Sequence, residues 1–137
     1  MAKTDVASVL KSVPLFGSLS RGELSDVVSL AREELFSPGQ DIVTEGQPGG
    51  PFFCISEGRA DLIVHDRKLR ELGPGSYFGE MALFEGGARS ATVRATTHVK
   101  ALAITSWNFL ALLQGNWEIT KKILAELSRT IRELEEV

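Results

Sequence analysis

The sequence has one cysteine, two histidines and no apolar run approaching the ~18 residues of a membrane-spanning helix. Its first ten residues, MAKTDVASVL, lack the apolar core of a secretory signal. A single cysteine excludes an intramolecular disulfide. These absences predict a cytoplasmic chain with no membrane segment.

An excess of positive charge is also missing. The chain has 15 Lys and Arg against 18 Asp and Glu, a net charge of −3. Direct nucleic-acid binding normally needs a basic surface, so the balance argues against it. At 137 residues and 43% apolar content, residues 1–137 are predicted to form a single domain with a sizeable core.

Residues for catalysis or metal binding are scarce. Cys54 lies in the apolar run Phe52–Ile55, which offers neither a base nor a low-pKa setting, so it is predicted to be a core residue. His65 and His98 are not spaced as metal ligands, and no Ser/His/Asp arrangement is present. The sequence therefore predicts no enzyme, no metal and no cofactor, and argues against a cupin-like metal barrel.

Hydrophobic periodicity divides the chain into three segments. Residues 5–33 are predicted to be helical, with a capping box formed by Ser20 and Glu23. Residues 34–105 contain short β-prone runs separated by Gly/Pro turns, which favours a small antiparallel barrel or a sandwich. Residues 106–137 return to helix. The predicted class is mainly β within α+β.

The C-terminal segment is predicted to hold two helices. Ser106 caps the first, over 107–113, and Gly115-Asn116 ends it before a second helix over 118–135. Apolar residues alternate spacings of three and four along a narrow seam, formed by Trp117, Thr120, Leu124, Leu127, Ile131 and Leu134. Two interpretations stay open: the seam packs on the chain's own barrel, or it joins two copies in a homodimer.

The segment Phe78–Val93, FGEMALFEGGARSATV, is the most informative part of the chain. Gly79 allows close approach of a ligand, and residues 80–84 suit one helical turn whose first N–H groups are unpaired. Arg89 adds a planar cationic donor group suited to phosphate, and the Glu80 carboxylate suits a hydroxyl. Together these residues predict a site for a small anion that also carries hydroxyls.

The segment 78–93 resembles the phosphate-binding cassette of cyclic nucleotide-binding domains. Further motifs of that family are similar to Phe36–Ile42, Glu45-Gly46 and Phe52–Gly58. The resemblance implies an antiparallel jelly-roll barrel with an N-terminal helical segment and C-terminal helices.

The same resemblance implies roles for individual residues. Glu80 accepts from the ribose 2′-hydroxyl and Arg89 binds the exocyclic phosphate oxygens. Backbone N–H groups near Gly79, Ala82 and Ser90 complete the phosphate cradle. The Ser90 hydroxyl also contacts the phosphate and can reach a guanine amino group, which leaves cyclic AMP and cyclic GMP both open, with cyclic AMP favoured.

The purine is expected against Val64, Leu72 and Met81, under a lid from the C-terminal helix that moves when nucleotide binds. The implied function is a regulatory module that reports to an unidentified protein effector through that movement.

Several alternatives remain. Glu80 and Arg89 alone are also explained by a surface ion pair. The chain also suits an interaction module that binds no nucleotide, or a module for a cyclic dinucleotide, although a second phosphate beside Glu80 is unfavourable. No recognition helix follows the last helix, so the chain also fits a sensory domain excised from a channel, a kinase or a transcription regulator.

Overall fold

The N-terminal segment forms two short helices joined by a 3-10 turn. A computed structural model describes residues 3–84 and 87–135, with α1 at Lys3–Lys11, the turn at Pro14–Phe16 and α2 at Arg21–Val28. The capping box is confirmed: Glu23 N–H donates to Ser20 Oγ at 3.2 Å, and Ser20 N–H donates to Glu23 Oε1 at 2.8 Å. The prediction of helix up to residue 33 is wrong, because a strand begins at Arg32 and pairs with the strand at Val99–Ile104.

Eight strands follow in the part of the chain that the structure describes, and they form the mainly antiparallel β fold that the sequence predicted. The strands are β1 Arg32–Phe36, β2 Asp41–Val43, β3 Phe52–Glu57, β4 Ala60–Val64, β5 Arg67–Leu72, β6 Tyr77–Phe78, β7 Thr92–Ala95 and β8 Val99–Ile104. They make two four-stranded sheets, ordered β1-β8-β3-β6 and β2-β7-β4-β5, with every pairing antiparallel. The chain passes between the sheets several times, as a jelly roll requires.

The two sheets enclose one apolar core, and the helices cover a second. The inner core contains Phe53, Ile55, Leu72 and Val93. The second core joins the outer face of β3 to the helices, through residues such as Phe16, Phe52 and Phe109. Cys54 belongs to it and is fully buried, and this burial raises the pKa of its thiol to about 12, so its prediction as a core residue is confirmed.

Two helices end the described chain. The first, α3, spans Ser106–Gln114, and its N-cap is Thr105, whose Oγ1 accepts from Asn108 N–H at 3.3 Å. The prediction of Ser106 as the cap is therefore wrong by one residue, because the extended backbone needed at an N-cap is found at Thr105. After the predicted break at Gly115-Asn116, α4 runs over Trp117–Glu135.

The face of α4 that packs against the domain differs from the predicted seam. Ile119 and Ile123 are buried against the helical core, whereas Trp117, Leu124 and Ile131 are more than half exposed. α4 therefore packs on its own domain, but through Ile119 and Ile123 rather than through the predicted seam, of which Leu127 still reaches the core edge. Within the described residues, none of the helices has the length and apolarity needed to cross a bilayer.

Candidate functional site

Arg89 is held by a loop between β2 and β3 that is distant in sequence. Its backbone N–H donates to the carbonyl of Gln47 at 2.9 Å, and its carbonyl accepts from Gly46 N–H at 2.9 Å. Its Nη2 donates to the carbonyl of Pro51. The backbone and the side chain of Arg89, which precedes β7, are therefore both held by the same loop, residues 44–51.

Two glycines leave the space that the Arg89 guanidinium occupies. Gly79 has φ +82° and Gly50 has φ +92°, backbone angles that residues with a Cβ rarely adopt. A Cβ at Gly50 would lie 2.7 Å from Arg89 Nη2, and a Cβ at Gly79 would overlap Nη1. Both glycines are therefore favoured by their backbone conformation, and a side chain at either one would displace the guanidinium.

Arg89 is a buried cation. It is 9% exposed, and burial lowers the pKa of its guanidinium. Among the residues that the structure describes, no carboxylate forms an ion pair with it, and Pro51 is its one side-chain hydrogen-bond partner. Buried charges in proteins are normally paired, because leaving one unpaired costs several kcal/mol. The local chemistry thus favours an anion at this position.

Glu80 begins the 3-10 turn Glu80–Leu83, directly after Gly79. Burial raises the pKa of its carboxyl group above the ordinary value of 4.5. The predicted helical turn is therefore present, although in the tighter 3-10 form. Glu80 and Arg89 do not pair within the described residues, so the surface ion pair considered from the sequence is not formed.

A cleft of about 520 Å³ opens beside Glu80, within the usual volume range of small-molecule sites. Its lining includes Glu80, Leu72, Arg70 and Tyr77. Burial raises the pKa of Tyr77; the Glu80 carboxylate raises it further and the Arg70 guanidinium lowers it, so both charges act on this phenol. A separate cavity of about 120 Å³ is lined by Gly49, Gly50, Pro51 and Arg89 among others.

The structure brings together some of the sequence-predicted site residues. Gly79 contacts the Arg89 side chain, and Glu80 shares a cleft with Leu72. Ser90 is exposed beside Arg89. Val64 ends β4 opposite Arg67 and is not part of the cleft lining. Met81 and Ala82 lie in the 3-10 turn, and their side chains fall outside the described part of the chain.

Four residues next to this site were missed by the sequence reasoning: Gly50, Pro51, Arg70 and Tyr77. The run Gln47-Pro48-Gly49-Gly50 was interpreted only as a turn, and the contact of the next residue, Pro51, with a residue 38 positions later has no local signal. Arg70 lies in the strand RKLREL, which carries charges at four of six positions. Such a strand gives no indication of which charge faces a cleft.

The 3-10 turn is packed directly on α3. Leu83 is fully buried in the helical core, and the Phe84 ring meets the Phe109 ring of α3 edge-on at 5.9 Å. Phe109 in turn contacts Phe16 of the N-terminal 3-10 turn at 6.0 Å. Ile123 of α4 belongs to the same cluster. A displacement of the turn at residues 80–83 would thus disturb the packing of both the N-terminal and the C-terminal helical segments.

Comparison with known families decides the identity of the fold. The model of the cyclic nucleotide-binding domain matches residues 33–116, more than half of the chain. The chain belongs to the cyclic nucleotide-binding domain family. The sequence resemblance to this family is therefore confirmed, and the matched range contains Gly50, Gly79, Glu80 and Arg89.

Curated relatives of this cyclic nucleotide-binding domain come from different classes of protein. A cyclic nucleotide-gated potassium channel of Rhizobium etli is 37% identical over 84% of this chain and 32% of the channel. A cAMP-dependent protein kinase regulatory subunit of Colletotrichum orbiculare is 34% identical over 76% of this chain and 27% of the subunit. The matched residues thus span between 12% and 32% of the length of the curated relatives.

Solved structures similar to this cyclic nucleotide-binding domain agree with the fold. The N-terminal domain of a transcriptional regulator from Streptomyces coelicolor superposes with a TM-score of 0.85 at 29% identity, covering 92% of each chain. The regulatory domain of Toxoplasma gondii PKA, crystallised with cAMP, superposes with a TM-score of 0.73 at 25% identity, covering 80% of this chain and 43% of the other.

Proposed function

We propose that the chain is a regulatory module that binds a 3′,5′-cyclic purine nucleotide, with cyclic AMP as the first candidate. The observation that carries the proposal is the buried Arg89 guanidinium, which has no carboxylate partner among the described residues. A monoanionic phosphate supplies the missing charge, and a charge-assisted contact of this kind contributes about 1.5–3 kcal/mol. The names of two relatives, a cAMP-dependent protein kinase regulatory subunit and a PKA regulatory domain crystallised with cAMP, favour cyclic AMP.

In this proposal the cassette residues divide the ligand between them. Arg89 and N–H groups near Gly79, Ala82 and Ser90 hold the cyclic phosphate, and Glu80 accepts from the ribose 2′-hydroxyl. The raised pKa of Glu80 is consistent with a carboxylate partly removed from water, where a hydroxyl donor is worth more than at the surface. Leu72 and Met81 remain candidates for the wall that meets the purine, and so does Val64, although it does not line the cleft.

Calorimetric titration tests the ligand and the phosphate site together. The protein is titrated with cyclic AMP, cyclic GMP and cyclic di-GMP, and then as Arg89→Ala. Arg94→Ala is the matched control, because Arg94 is an exposed arginine paired with Asp41 at 2.7 Å. We expect binding of a mononucleotide, loss of roughly 10- to 150-fold in affinity for Arg89→Ala, and no loss for Arg94→Ala.

Each other outcome has a meaning. Binding of none of the three nucleotides would refute the sensor function and favour a module that acts only through protein contacts. Binding of cyclic di-GMP alone would replace the ligand class. Equal affinity in Arg89→Ala and the wild type would remove Arg89 from the site.

The ribose contact has its own test with 2′-deoxy cyclic AMP. If Glu80 accepts from the 2′-hydroxyl, the wild type binds the deoxy analogue more weakly than cyclic AMP, and Glu80→Gln reduces that difference. A deoxy penalty that is the same in both proteins would show that Glu80 does not contact the hydroxyl.

We propose further that ligand occupancy is transmitted to α4 through the packing of Leu83 and Phe84 on Phe109. A ligand shifts such an equilibrium only by its differential affinity for the two positions of the helix. The exposed apolar seam of α4, including Leu124, offers a surface for a second copy or an effector. Sedimentation velocity with and without cyclic AMP tests the homodimer, and Leu124→Glu should abolish any association that uses the seam.

The channel, kinase and regulator relatives make a sensory domain of a longer protein the second candidate. This second candidate changes which part of a protein responds to the ligand, and it leaves the ligand site as proposed. An enzymatic activity is not proposed, because the residues at the site serve binding rather than bond cleavage.

A further inference from the structure

A groove of about 740 Å³ lies between the two N-terminal helices, α1 and α2. Three apolar side chains, Ala7, Leu24 and Val28, contribute to its lining, together with the cations Lys11 and Arg21. Lys11 ends α1 and Arg21 begins α2; the two helices pack on each other and are joined by the short 3-10 turn, so both cations lie at the same end. None of the described residues that line the groove is a carboxylate. The groove therefore offers apolar contacts along its length and positive charge at one end.

Arg21 is the cation of this groove that is available to a partner. It is exposed, and among the residues that the structure describes none forms an ion pair or a side-chain hydrogen bond with it. Lys11, in contrast, donates from Nζ to the carbonyl of Leu19 at 2.7 Å. The partner that Arg21 lacks is a carboxylate supplied from outside the groove.

The α4 helix of the same chain is held on another side of α2. Lys122 Nζ of α4 donates to Glu23 Oε1 of α2 at 2.6 Å. Glu23 follows Arg21 by two positions, a rotation of about 200° around a helix, so the two side chains project from opposite sides of α2. Ile119 and Ile123 fix the same part of α4 in the helical core. The chain's own α4 is thus held away from the groove.

The exposed seam of α4 complements the groove in shape and charge. Ile131 is 57% exposed and Leu134 is 81% exposed. Glu135 is also exposed, and it lies four positions after Ile131, beside the seam at its C-terminal end. Arg129 lies two positions before Ile131, and a separation of two positions turns a helix by about 200°. Arg132 stands in the same relation to Leu134, so both arginines project away from the seam, which is apolar along its length and negative at one end.

We propose that the α1–α2 groove receives the C-terminal half of α4 from a second copy of this chain, whose own groove receives α4 of the first. Ile131 and Leu134 pack between the two helices, and Glu135 meets Arg21 at the charged end. An amphipathic helix in an apolar groove is a common mode of recognition. The dimer has two-fold symmetry, so every contact occurs twice. This inference rests on the self-association through α4 proposed above and is independent of nucleotide binding.

Two charge reversals, Arg21→Glu and Glu135→Arg, test the contact by sedimentation velocity over a concentration series, with and without cyclic AMP. Both variants should keep the fold, because Arg21 is the first residue of α2 and Glu135 the last of α4, where the new charges favour the helix dipole. Either variant alone brings like charges together at both contacts of the dimer. In an equal mixture, the reversed helix meets the reversed groove, and the other contact has its original charges. Arg67→Glu is the matched control, since Arg67 is an exposed arginine of β5 outside the groove lining.

We expect the wild type and Arg67→Glu to dimerise alike, and each reversal alone to weaken the dimer by about 5- to 100-fold. The mixture should recover the wild-type association, and Leu134→Asp should abolish it. If Arg21→Glu dimerises as tightly as the wild type while Leu134→Asp does not, two α4 helices pack on each other directly and the inference is overturned. A wild type that is monomeric in both conditions, or a mixture no tighter than its components, would also overturn it. None of these outcomes bears on the nucleotide site, whose failure appears separately in the calorimetric titration.

Discussion

Replacing Gly79 by alanine tests whether the position of the Arg89 guanidinium controls ligand affinity. At φ +82° an added Cβ costs about 1–2 kcal/mol of backbone strain, which lowers the Tm of a domain of this size by roughly 3–8 °C. The same Cβ would overlap Arg89 Nη1. Because Nη1 is the end of a long side chain, the guanidinium can move away. The cost of this overlap therefore falls on ligand binding rather than on folding.

Gly39→Ala is the control for backbone strain alone. Gly39 has φ +87°, and its Cβ would have no heavy atom within 4 Å. Thermal unfolding should therefore show a loss of Tm in both variants, somewhat larger for Gly79→Ala because its Cβ would also lie 3.2 Å from the Pro51 carbonyl oxygen. Calorimetry with cyclic AMP should show a loss of roughly 10- to 150-fold for Gly79→Ala only, which corresponds to one charge-assisted contact.

The double variant Gly79→Ala/Arg89→Ala completes the argument. Two substitutions that remove the same contact are not additive, so the double variant should bind no more weakly than Arg89→Ala. Equal affinity for cyclic AMP in Gly79→Ala and Gly39→Ala would refute the idea that Gly79 positions the guanidinium.

Three further predictions concern ionisable groups. Burial raises the pKa of Glu80, so its negative charge destabilises the fold above pH 4.5. Glu80→Gln should therefore raise Tm at neutral pH, and this gain should vanish in acid. A gain in Tm that is independent of pH would contradict this. Hydrogen bonds from Lys122 and from Ser20 N–H lower the pKa of Glu23 below 4.5. In urea unfolding, the stability advantage of the wild type over Glu23→Gln should be complete above pH 4.5 and lost as the pH falls through that lowered pKa. An advantage that persists in acid would exclude this ion pair. The Cys54 pKa of about 12 predicts no reaction with a disulfide reagent at about pH 8 until denaturant is added; rapid labelling of the native protein would show an open core.

Local features of the fold were predictable from the sequence. The capping box needs only Ser20 and Glu23, three residues apart, and both of its hydrogen bonds are present. The turn after Gly79 and the break at Gly115 are also encoded within a few residues. These predictions succeeded because the interacting groups are neighbours in the chain.

Features that depend on distant partners were not predictable. The segment Arg32–Phe36 is charged and continues an apparently helical region, and it becomes a strand because β8 offers a pairing edge. Along α4, Trp117 and Leu124 have a spacing that suits packing as well as that of Ile119 and Ile123, so the sequence does not choose the buried face. The contact of Arg89 with Gly50 and Pro51 likewise exists only after the loop 44–51 has folded against it.

The two tryptophans of the chain have a practical consequence. Trp107 is in the first turn of α3 and Trp117 begins α4, on either side of the break at Gly115-Asn116, and both indoles are largely exposed. The barrel and the cleft contain no indole. Intrinsic tryptophan fluorescence is therefore an unlabelled reporter of the junction between the two C-terminal helices, and its signal is separate from events inside the β-sheets.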